Sequence, residues 1–338
     1  MSVNVGEARQ HRILHLSDPH LTGSGIDEDG VDAASALERI LWDARFVPDI
    51  DLIVVSGDIA DDGSAEGCTA VLSRVGRFAA ERAIPHVYST GNHDTRDAFA
   101  AVFGSGHLSP DGVDVGQLFD APQPSGASTG SDAANEAGVR GESGASVGER
   151  AAVSEVSGLR VITLDSLVPG AVHGLVSAAQ LTWLPSVLSH PAPAGSIVVL
   201  HHPPISLDLP RMQAIVLQNA LELGEALAGS DVRAVLCGHL HAQLSGTLHG
   251  VPVWSTPGIV TRMDLTAPPH LLRVVKGAGA SVVDLGGPFS PLVHTLHARD
   301  PEAGTLAYLV DGLTWQNVDD EHVDDERPET PIRTSAPQ

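Results

Sequence analysis

Short apolar runs alternate with amphipathic segments along most of the chain. The runs have the length and the β-branched content of buried strands, and they lie at residues 12–17, 51–56, 86–89, 159–164, 197–200, 232–236 and 251–254. Helical spacing of apolar residues separates several of them, at about residues 34–41, 65–82, 178–188 and 212–227. Strand–helix alternation of this kind predicts an α/β domain whose strands are largely buried.

The pattern changes after about residue 244, where helical spacing ends. Strand-like runs follow at residues 271–275, 281–285 and 292–296, and they predict a second, more antiparallel sheet in the C-terminal part. We assign residues 1–300 to one domain and residues 301–338 to a C-terminal extension.

Two segments lack any periodic apolar face. Residues 123–150 are rich in Gly, Ser and Ala, and the residues from about 319 onward are first acidic and then rich in Pro. Neither composition offers enough apolar surface to offset the entropy lost on ordering. We therefore predict a flexible insertion within the domain and an extended acidic tail.

Composition narrows the class of protein. The 338 residues include 42 acidic and 19 basic side chains, and the formal net charge of −23 argues against binding a nucleic-acid backbone over a wide surface. A small phosphate substrate remains compatible with this charge, because a bound metal ion can reverse the local field. The first residues lack the pattern of a signal peptide, and no apolar run could span a bilayer, so we expect a cytoplasmic protein without a membrane partner. The two cysteines, Cys68 in a predicted helix and Cys237 in a predicted strand, are expected to be reduced core thiols.

Five short motifs each follow a predicted strand. In chain order they are Asp18-Pro-His20, Gly57-Asp58, Gly91-Asn92-His93-Asp94, His201-His202-Pro203 and Gly238-His239-Leu240-His241. An extended backbone would point Asp18 and His20 to the same side, because side chains two residues apart share one face of a strand. The same geometry would apply to His239 and His241. Side chains at the carboxyl ends of strands in an α/β sheet converge on one crevice.

The converging side chains form a candidate set of metal ligands that contains carboxylates, one amide and imidazoles: Asp18, His20, Asp58, Asn92, His201, His239 and His241. Mixed nitrogen and oxygen ligands suit Mn, Fe, Zn or Co. A structural zinc ion takes only four ligands, whereas two ions that share a bridging carboxylate need about as many as this set offers. Two close metal ions provide a clamp and a hydroxide nucleophile for in-line attack at phosphorus. Two divalent ions, two carboxylates and a hydroxide leave about one positive charge, which matches a phosphodiester monoanion.

The motifs, taken together and in this order, resemble those of the calcineurin-like metallophosphoesterase superfamily. The flanking residues 16–21 (LSDPHL), 200–204 (LHHPP) and 237–241 (CGHLH) are most similar to those of bacterial class III 3′,5′-cyclic nucleotide phosphodiesterases. The resemblance implies a four-layer α/β/β/α sandwich and two divalent transition metal ions, Mn or Fe in the first place and Zn or Co as alternatives. The implied ligands of one ion are Asp18, His20 and His241, those of the other are Asn92, His201 and His239, and Asp58 bridges the two.

The resemblance also implies roles for residues that contact the substrate. His93 would face the substrate and protonate the leaving oxygen or stabilise the transition state, Asp94 would orient His93, and Asn92 would contact the substrate as well. The family's H-x-P spacing selects His201 as the ligand, and its neighbour His202 is expected to have a structural role.

Two further residues near the motifs are candidates for supporting contacts. His173, beside a glycine, could reach the substrate, with a surface or strand position as the alternative. Asp61 is expected to hydrogen-bond a metal ligand or bound water, with capping of the next helix as the alternative.

The main functional prediction is hydrolysis of 3′,5′-cyclic AMP to 5′-AMP by a metal-bridging hydroxide. The same centre could instead act on 2′,3′-cyclic nucleotides, on other phosphodiesters or on phosphomonoesters. A remote alternative is a non-catalytic scaffold for protein partners, although such a protein would show replaced ligands and none is replaced here. We also expect a homodimer, with residues 292–296 and 306–310 as candidate interface segments.

Overall fold

The computed structural model describes residues 11–120, 148–268, 270–311, 314 and 316–318. Within them, two large β-sheets pack face to face, and helices cover the outer face of each sheet. This arrangement confirms the implied four-layer α/β/β/α sandwich. Residues 123–147 of the predicted insertion and the tail from residue 319 lie outside the described residues.

The elements follow the predicted alternation in the first 240 residues. The strands are β1 His11–Leu16, β2 Leu52–Ser56, β3 His86–Ser89, β4 His107–Leu108, β5 Gln117–Leu118, β6 Ala152–Val156, β7 Leu159–Thr163, β8 Ser196–Val199, β9 Val232–Cys237, β10 Leu244–Leu248, β11 Val251–Ser255, β12 Thr261–Asp264, β13 Leu271–Lys276, β14 Gly279–Leu285, β15 Leu292–His297 and β16 Leu306–Asp311. The helices are α1 Ala33–Ala44, α2 Ala65–Ala80, α3 Arg96–Phe103, α4 Ala178–Val187, α5 Pro210–Ile215 and α6 Ala220–Leu227.

The first sheet has the strand order β15-β14-β1-β2-β3-β4, and the second has the order β10-β11-β9-β8-β7-β6-β5. Strands β1, β2 and β3 run parallel to one another, and so do β7, β8, β9 and β11. The carboxyl ends of the central strands of each sheet therefore lie at one edge of that sheet, where loops can gather side chains.

Side-chain alternation along the central strands divides the core into layers. In β2, Leu52 and Val54 belong to the apolar cluster between the two sheets, while Ile53 and Val55 pack toward the helices on the first sheet. Strand β8 alternates in the same way between the inner cluster and the cluster under α4 and α6. Both faces of these strands are buried, which explains why they read as continuous apolar runs.

Helix starts follow from local capping. The side chain of Asp32 accepts a hydrogen bond from the Ser35 backbone N–H before α1, and Ser64 does the same for Gly67 before α2. The predicted helix at residues 212–227 is two short helices, because the backbone between them bridges to the segment around Gly174 through Leu217.

The late strands correct the prediction of a single second sheet. Only the run at 271–275 lies in a separate antiparallel sheet, which has the order β12-β13-β16. Strand β14 pairs antiparallel with β1, and β15 pairs with β14, so both extend the first sheet. Val283 and Leu285 of β14 belong to the cluster between the two large sheets, and burying them there explains the placement.

The end of the predicted insertion belongs to the folded core. Arg150 is buried, and its backbone N–H donates to the Asp165 carboxylate over 2.7 Å. Cys68 and Cys237 are free and buried in a helix and a strand, as predicted. Among the described helices, none combines the length and apolar character that crossing a membrane requires.

Candidate active site

All five sequence motifs lie in loops that leave the carboxyl ends of parallel strands. The loops after β1, β2 and β3 come from the first sheet, and the loops after β8 and β9 come from the second. The structure brings every predicted ligand into one cluster at this end of the sandwich: Asp18, His20, Asp58, Asn92, His201, His239 and His241. The convergence that strand topology predicted is therefore present.

The backbone of these loops corrects the prediction of an extended chain at the ligands. Five of the predicted ligands have positive φ: Asp18 at 55°, His20 at 44°, Asp58 at 47°, His239 at 70° and His241 at 47°. Residues with side chains adopt this left-handed region uncommonly. Such conformations cluster at functional sites and persist where surrounding structure determines them.

Hydrogen bonds between neighbouring loops hold the strained backbone. The backbone N–H of Asp18 donates to the Gly57 carbonyl over 3.1 Å, and that of His20 donates to the Asp58 carbonyl over 3.0 Å. The Asp18 carboxylate accepts from the His239 N–H, with both oxygens 3.1 Å away. These bonds join loops of the first sheet to each other and to a loop of the second.

Two of the motif positions require glycine, because neighbouring atoms lie where a Cβ would be. A Cβ at Gly91 would lie 2.2 Å from Asp58 Oδ1, and one at Gly238 would lie 2.6 Å from Asp18 Oδ2. Any side chain at either position would displace a buried carboxylate.

The ligand atoms form two overlapping groups. His201 Nε2 lies 3.1 Å from Asp58 Oδ2, 3.2 Å from Asn92 Oδ1 and 3.2 Å from His239 Nδ1. His20 Nε2 lies 3.6 Å from Asp58 Oδ2, so this carboxylate is close to both groups.

The second group closes around Asp18. His241 Nε2 lies 3.4 Å from Asp18 Oδ1, and potential ligand atoms of Asp18, His20 and His241 all lie within 4.8 Å of one another. Each group supplies the mixed nitrogen and oxygen atoms that divalent transition metals accept.

Three of the imidazole rings make hydrogen bonds through Nδ1, the nitrogen that faces away from the ligand cluster. His20 Nδ1 donates to Asp61 Oδ1 over 2.7 Å, and His201 Nδ1 donates to the Ser56 carbonyl over 2.8 Å. Carboxylate and carbonyl oxygens only accept, so Nδ1 of each ring carries a hydrogen, and Nε2 is the nitrogen that would bind a cation once it has lost its own proton. His241 Nδ1 makes a 2.6 Å hydrogen bond to Thr261 Oγ1. Such outer contacts orient metal-binding histidines.

The cluster's chemistry fits divalent cations. Among the described residues, His20 Nε2 is buried without a hydrogen-bond partner, although it faces two carboxylates. Burial disfavours a charged His201, but Asp58 and Asp18 outweigh burial and raise the pKa of His201 to about 9. Burial likewise disfavours an ionised Asp18, yet His241 and His201 lower the pKa of Asp18 to about 2. Buried carboxylates that stay ionised attract cations.

His93 lies beside the cluster and lines the cavity above it. Its Nδ1 donates to the Asp61 carbonyl over 3.0 Å, which leaves Nε2 for a ligand. The contacts of Asp94 differ from the prediction that it orients the His93 ring. The Asp94 carboxylate instead accepts from the backbone N–H groups of Ile59, Ala60 and Gly91, because the turns of two motif loops leave these donors without partners inside the loops.

The two remaining histidine predictions have different outcomes. His202 Nδ1 hydrogen-bonds Ser166 Oγ over 2.8 Å, and its Nε2 donates to the Val172 carbonyl over 3.1 Å, so both nitrogens have protein partners, as a structural role requires. His173 is half-buried and is not among the described residues that line the cavity, whereas Val172 is. A contact of His173 with the substrate stays a prediction.

A cavity of about 370 Å³ opens over the ligand cluster. That volume lies within the range of small-molecule sites, about 300–1,000 Å³. Besides the predicted ligands and His93, its lining includes the acidic residues Asp27, Glu28 and Asp29. It also includes apolar residues of the third sheet, which is the three-stranded sheet β12-β13-β16. A small molecule can therefore reach the metal-binding atoms directly.

Comparison with known proteins identifies the family. A family model described as calcineurin-like phosphoesterase matches residues 11–243. The chain belongs to this family. The resemblance drawn from the five motifs and the predicted phosphoesterase class are thereby confirmed.

Curated relatives of this phosphoesterase carry names that refer to cyclic nucleotides. A probable cyclic nucleotide phosphodiesterase of Rhodococcus erythropolis is 34% identical over 260 residues, which cover 75% of this chain and 73% of the relative. A cAMP/cGMP dual specificity phosphodiesterase of Mycobacterium tuberculosis is 33% identical over 260 residues, covering 75% and 69%. The 3′,5′-cyclic adenosine monophosphate phosphodiesterase CpdA of Escherichia coli is 28% identical over 256 residues, covering 75% and 77%.

Sequence reasoning missed part of this phosphoesterase's site. Asp61 was found as an outer contact, because it follows the Gly57-Asp58 motif closely and its hydrogen bond to His20 is confirmed. Ser56 acts through its backbone carbonyl and Thr261 lies far along the chain from His241, so neither carries a local motif. The apolar cavity wall was also missed, since its strands read only as core.

Proposed function

We propose that this phosphoesterase is a phosphodiesterase with two metal ions that hydrolyses 3′,5′-cyclic AMP to 5′-AMP. The observation that carries the proposal is the cluster of seven predicted ligands, complete and open to a cavity of small-molecule size. The relatives named as cyclic nucleotide phosphodiesterases support the substrate.

The two ligand groups suggest how the ions would be divided. Asp18, His20 and His241 would hold one ion, and Asn92, His201 and His239 the other, with Asp58 shared between them. When bound, two divalent cations would neutralise the phosphate and lower the pKa of a water molecule so that its hydroxide attacks phosphorus.

The chain's own residues supply orientation and a proton. In the reaction, a water oxygen bonds to phosphorus, the bond from phosphorus to the 3′ oxygen breaks, and that oxygen takes up a proton. His93 is the proposed donor, because the Asp61 carbonyl holds Nδ1 and leaves Nε2 directed at the ligand space. Asp94 would act indirectly, by holding the loop backbone that follows Asp58 and that precedes Asn92.

The test combines three substrates with one variant and its matched control. Wild-type protein loaded with Mn is incubated with 3′,5′-cyclic AMP, 2′,3′-cyclic AMP and 5′-AMP, and products are separated by chromatography. We expect 5′-AMP chiefly from the 3′,5′ compound and no adenosine. Asp58→Ala should lose both ions and nearly all turnover, while Asp62→Asn, an exposed carboxylate in the same loop, should keep both. A fully active Asp58→Ala protein would refute the mechanism.

The alternatives give distinct results in the same assay. Preferential attack on 2′,3′-cyclic AMP or on 5′-AMP would keep the metal centre and replace the substrate. Absence of bound transition metal, with no rescue by added Mn, would favour a non-catalytic scaffold.

We further propose a cytoplasmic homodimer, with residues 1–300 as the catalytic domain and residues 301–338 as an extension that adds to the interface. Strand β16 of this extension also pairs with β13 of the catalytic domain. The family resemblance supports the dimer, and β15 offers it an edge strand of the first sheet. A monomer mass in light scattering would refute it.

A further inference from the structure

One wall of the active-site cavity is an apolar face of the third sheet. Met263 of β12, Val274 of β13 and Tyr308 of β16 line the cavity and pair across the strands as one row. Leu272 and Val310 pair as a second row and also line it. Residues paired in this way share one face of a sheet, so the five side chains form one continuous surface.

This wall is fixed to the ligand loop. Thr261, the first residue of β12, hydrogen-bonds His241 Nδ1 over 2.6 Å, and the Met263 N–H donates to the His241 carbonyl over 3.1 Å. Leu240 and Ala242, on either side of His241, pack in the same buried cluster as the third sheet. The distance from the wall to the ligand cluster is therefore set by the fold.

Charge orients any anionic occupant of the cavity. Asp27, Glu28 and Asp29 line it outside the ligand cluster, and their carboxylates repel a phosphate from that region. Cations at the ligand cluster would attract the phosphate instead. The uncharged part of the same molecule would then lie against the apolar wall.

We propose that this wall binds the base of the nucleotide substrate, with Tyr308 as its aromatic contact. The inference rests on the proposed function, which supplies a phosphate at the ligand cluster. A heterocyclic base has a flat apolar face, and stacking on an aromatic side chain binds any base. The wall lies beyond residue 243, where the family match ends, so the matched segment alone does not provide it.

The test compares a substrate that has a base with one that lacks it. The pair is 3′,5′-cyclic AMP and 1-O-methylribose 3′,5′-cyclic phosphate, and the variants are made in the full chain loaded with Mn. Tyr308→Ala should lower kcat/KM for cyclic AMP about ten-fold or more and change that for the abasic diester less than about two-fold. Tyr308→Phe keeps the ring and should stay close to wild type with both substrates.

Leu309→Ala is the matched control. Leu309 is buried in the same strand but is not among the described residues that line the cavity. It should affect both substrates equally, through the fold alone. If Tyr308→Ala does not fold, Tyr308→Leu keeps the apolar bulk, removes the ring and should show the same selective loss.

The outcomes separate the two proposals. Equal losses on both substrates for the Tyr308 variants, or no loss on either, would overturn the base-binding wall and leave the proposed function intact. If the wild-type protein hydrolyses neither diester, the proposed function is refuted, and this inference with it.

Discussion

Arg96 and Asp165 form a bidentate ion pair across the two halves of the sandwich. Arg96 Nε lies 2.7 Å from Asp165 Oδ2, and Arg96 Nη2 lies 3.0 Å from Oδ1. Arg96 begins α3 on the first sheet, just after the loop that carries His93, whereas Asp165 follows β7 of the second sheet. The pair therefore connects the sheets beside the active site.

Removing this arginine should destabilise the protein strongly. Arg96→Ala leaves the fully buried Asp165 carboxylate without its cation, and breaking a buried pair costs about 3–5 kcal/mol of unfolding free energy. Urea unfolding of the metal-free protein measures the change. Arg299→Ala, which removes an exposed pair with Asp43, is the control and should leave the urea midpoint nearly unchanged. Equal midpoints for both variants would show that the Arg96 pair is not structural.

Metal affinity should depend on the residue behind His20. Asp61→Asn weakens the 2.7 Å contact that orients the ring, so we expect the affinity for Mn to fall about 10- to 100-fold. Titration of Mn into metal-stripped protein by calorimetry provides the measurement. Asp62→Asn, an exposed neighbour that accepts from the Ser64 N–H, should bind Mn like wild type. Identical affinities for all three proteins would contradict the outer role of Asp61.

Buried His107 should make stability depend on pH. Its Nδ1 and Nε2 contact Ser154 Oγ and Thr163 Oγ1 over 2.6 and 3.0 Å, and burial lowers its pKa to about 3. An unfolded histidine titrates near about 6.5, so between these values the unfolded chain binds more protons than the folded one. The stabilising contribution of His107 is complete above about pH 6.5 and is lost as the pH falls.

The measurement is urea unfolding of metal-free protein at several pH values. His107→Gln should lower the slope of unfolding free energy against pH by up to about 1.4 kcal/mol per pH unit in that window. His86, whose pKa burial lowers to about 4, stays in the variant and keeps part of the slope. Parallel curves for wild type and variant would mean that His107 is protonated in the folded state.

The contact between the two large sheets should tolerate little loss of volume. Leu236 is fully buried in the cluster between them, and Leu236→Ala should cost about 2–5 kcal/mol, because the facing sheet cannot collapse into the cavity. Leu221→Ala on α6, where the residue is 69% exposed, should cost less than about 0.5 kcal/mol. Urea unfolding compares them, and a similar cost for the two would argue against tight packing between the sheets.

The sequence predicted the parts of this molecule that depend on local pattern. Strands buried on both faces, such as β2 and β8, appear as apolar runs, and each of the five motifs follows directly after a strand. Pairing between distant segments has no such local signal. The placement of β14 beside β1, and of Thr261 behind His241, depends on packing over long sequence separations.

The backbone conformation at the predicted ligands also could not be predicted from the pattern of apolar and polar residues. Alternation assumes an extended chain, but the Asp18 and His20 loop turns through positive φ. Their side chains converge because hydrogen bonds to the loop after β2 hold that turn. The contacts of Asp94 with backbone N–H groups could not be predicted for a related reason, since the unpaired N–H groups of a turn cannot be counted before the turn is known.

The five ligand loops come from both sheets, and this origin links cation binding to the docking of one sheet on the other. Ions held by all of these loops would bind the folded state far better than the unfolded chain, so they would raise the free energy of unfolding once their free concentration exceeds the dissociation constant. Chelation would then lower the melting temperature as well as the turnover. In a cell, scarcity of the ions would shorten the lifetime of the protein, and its abundance would follow metal supply.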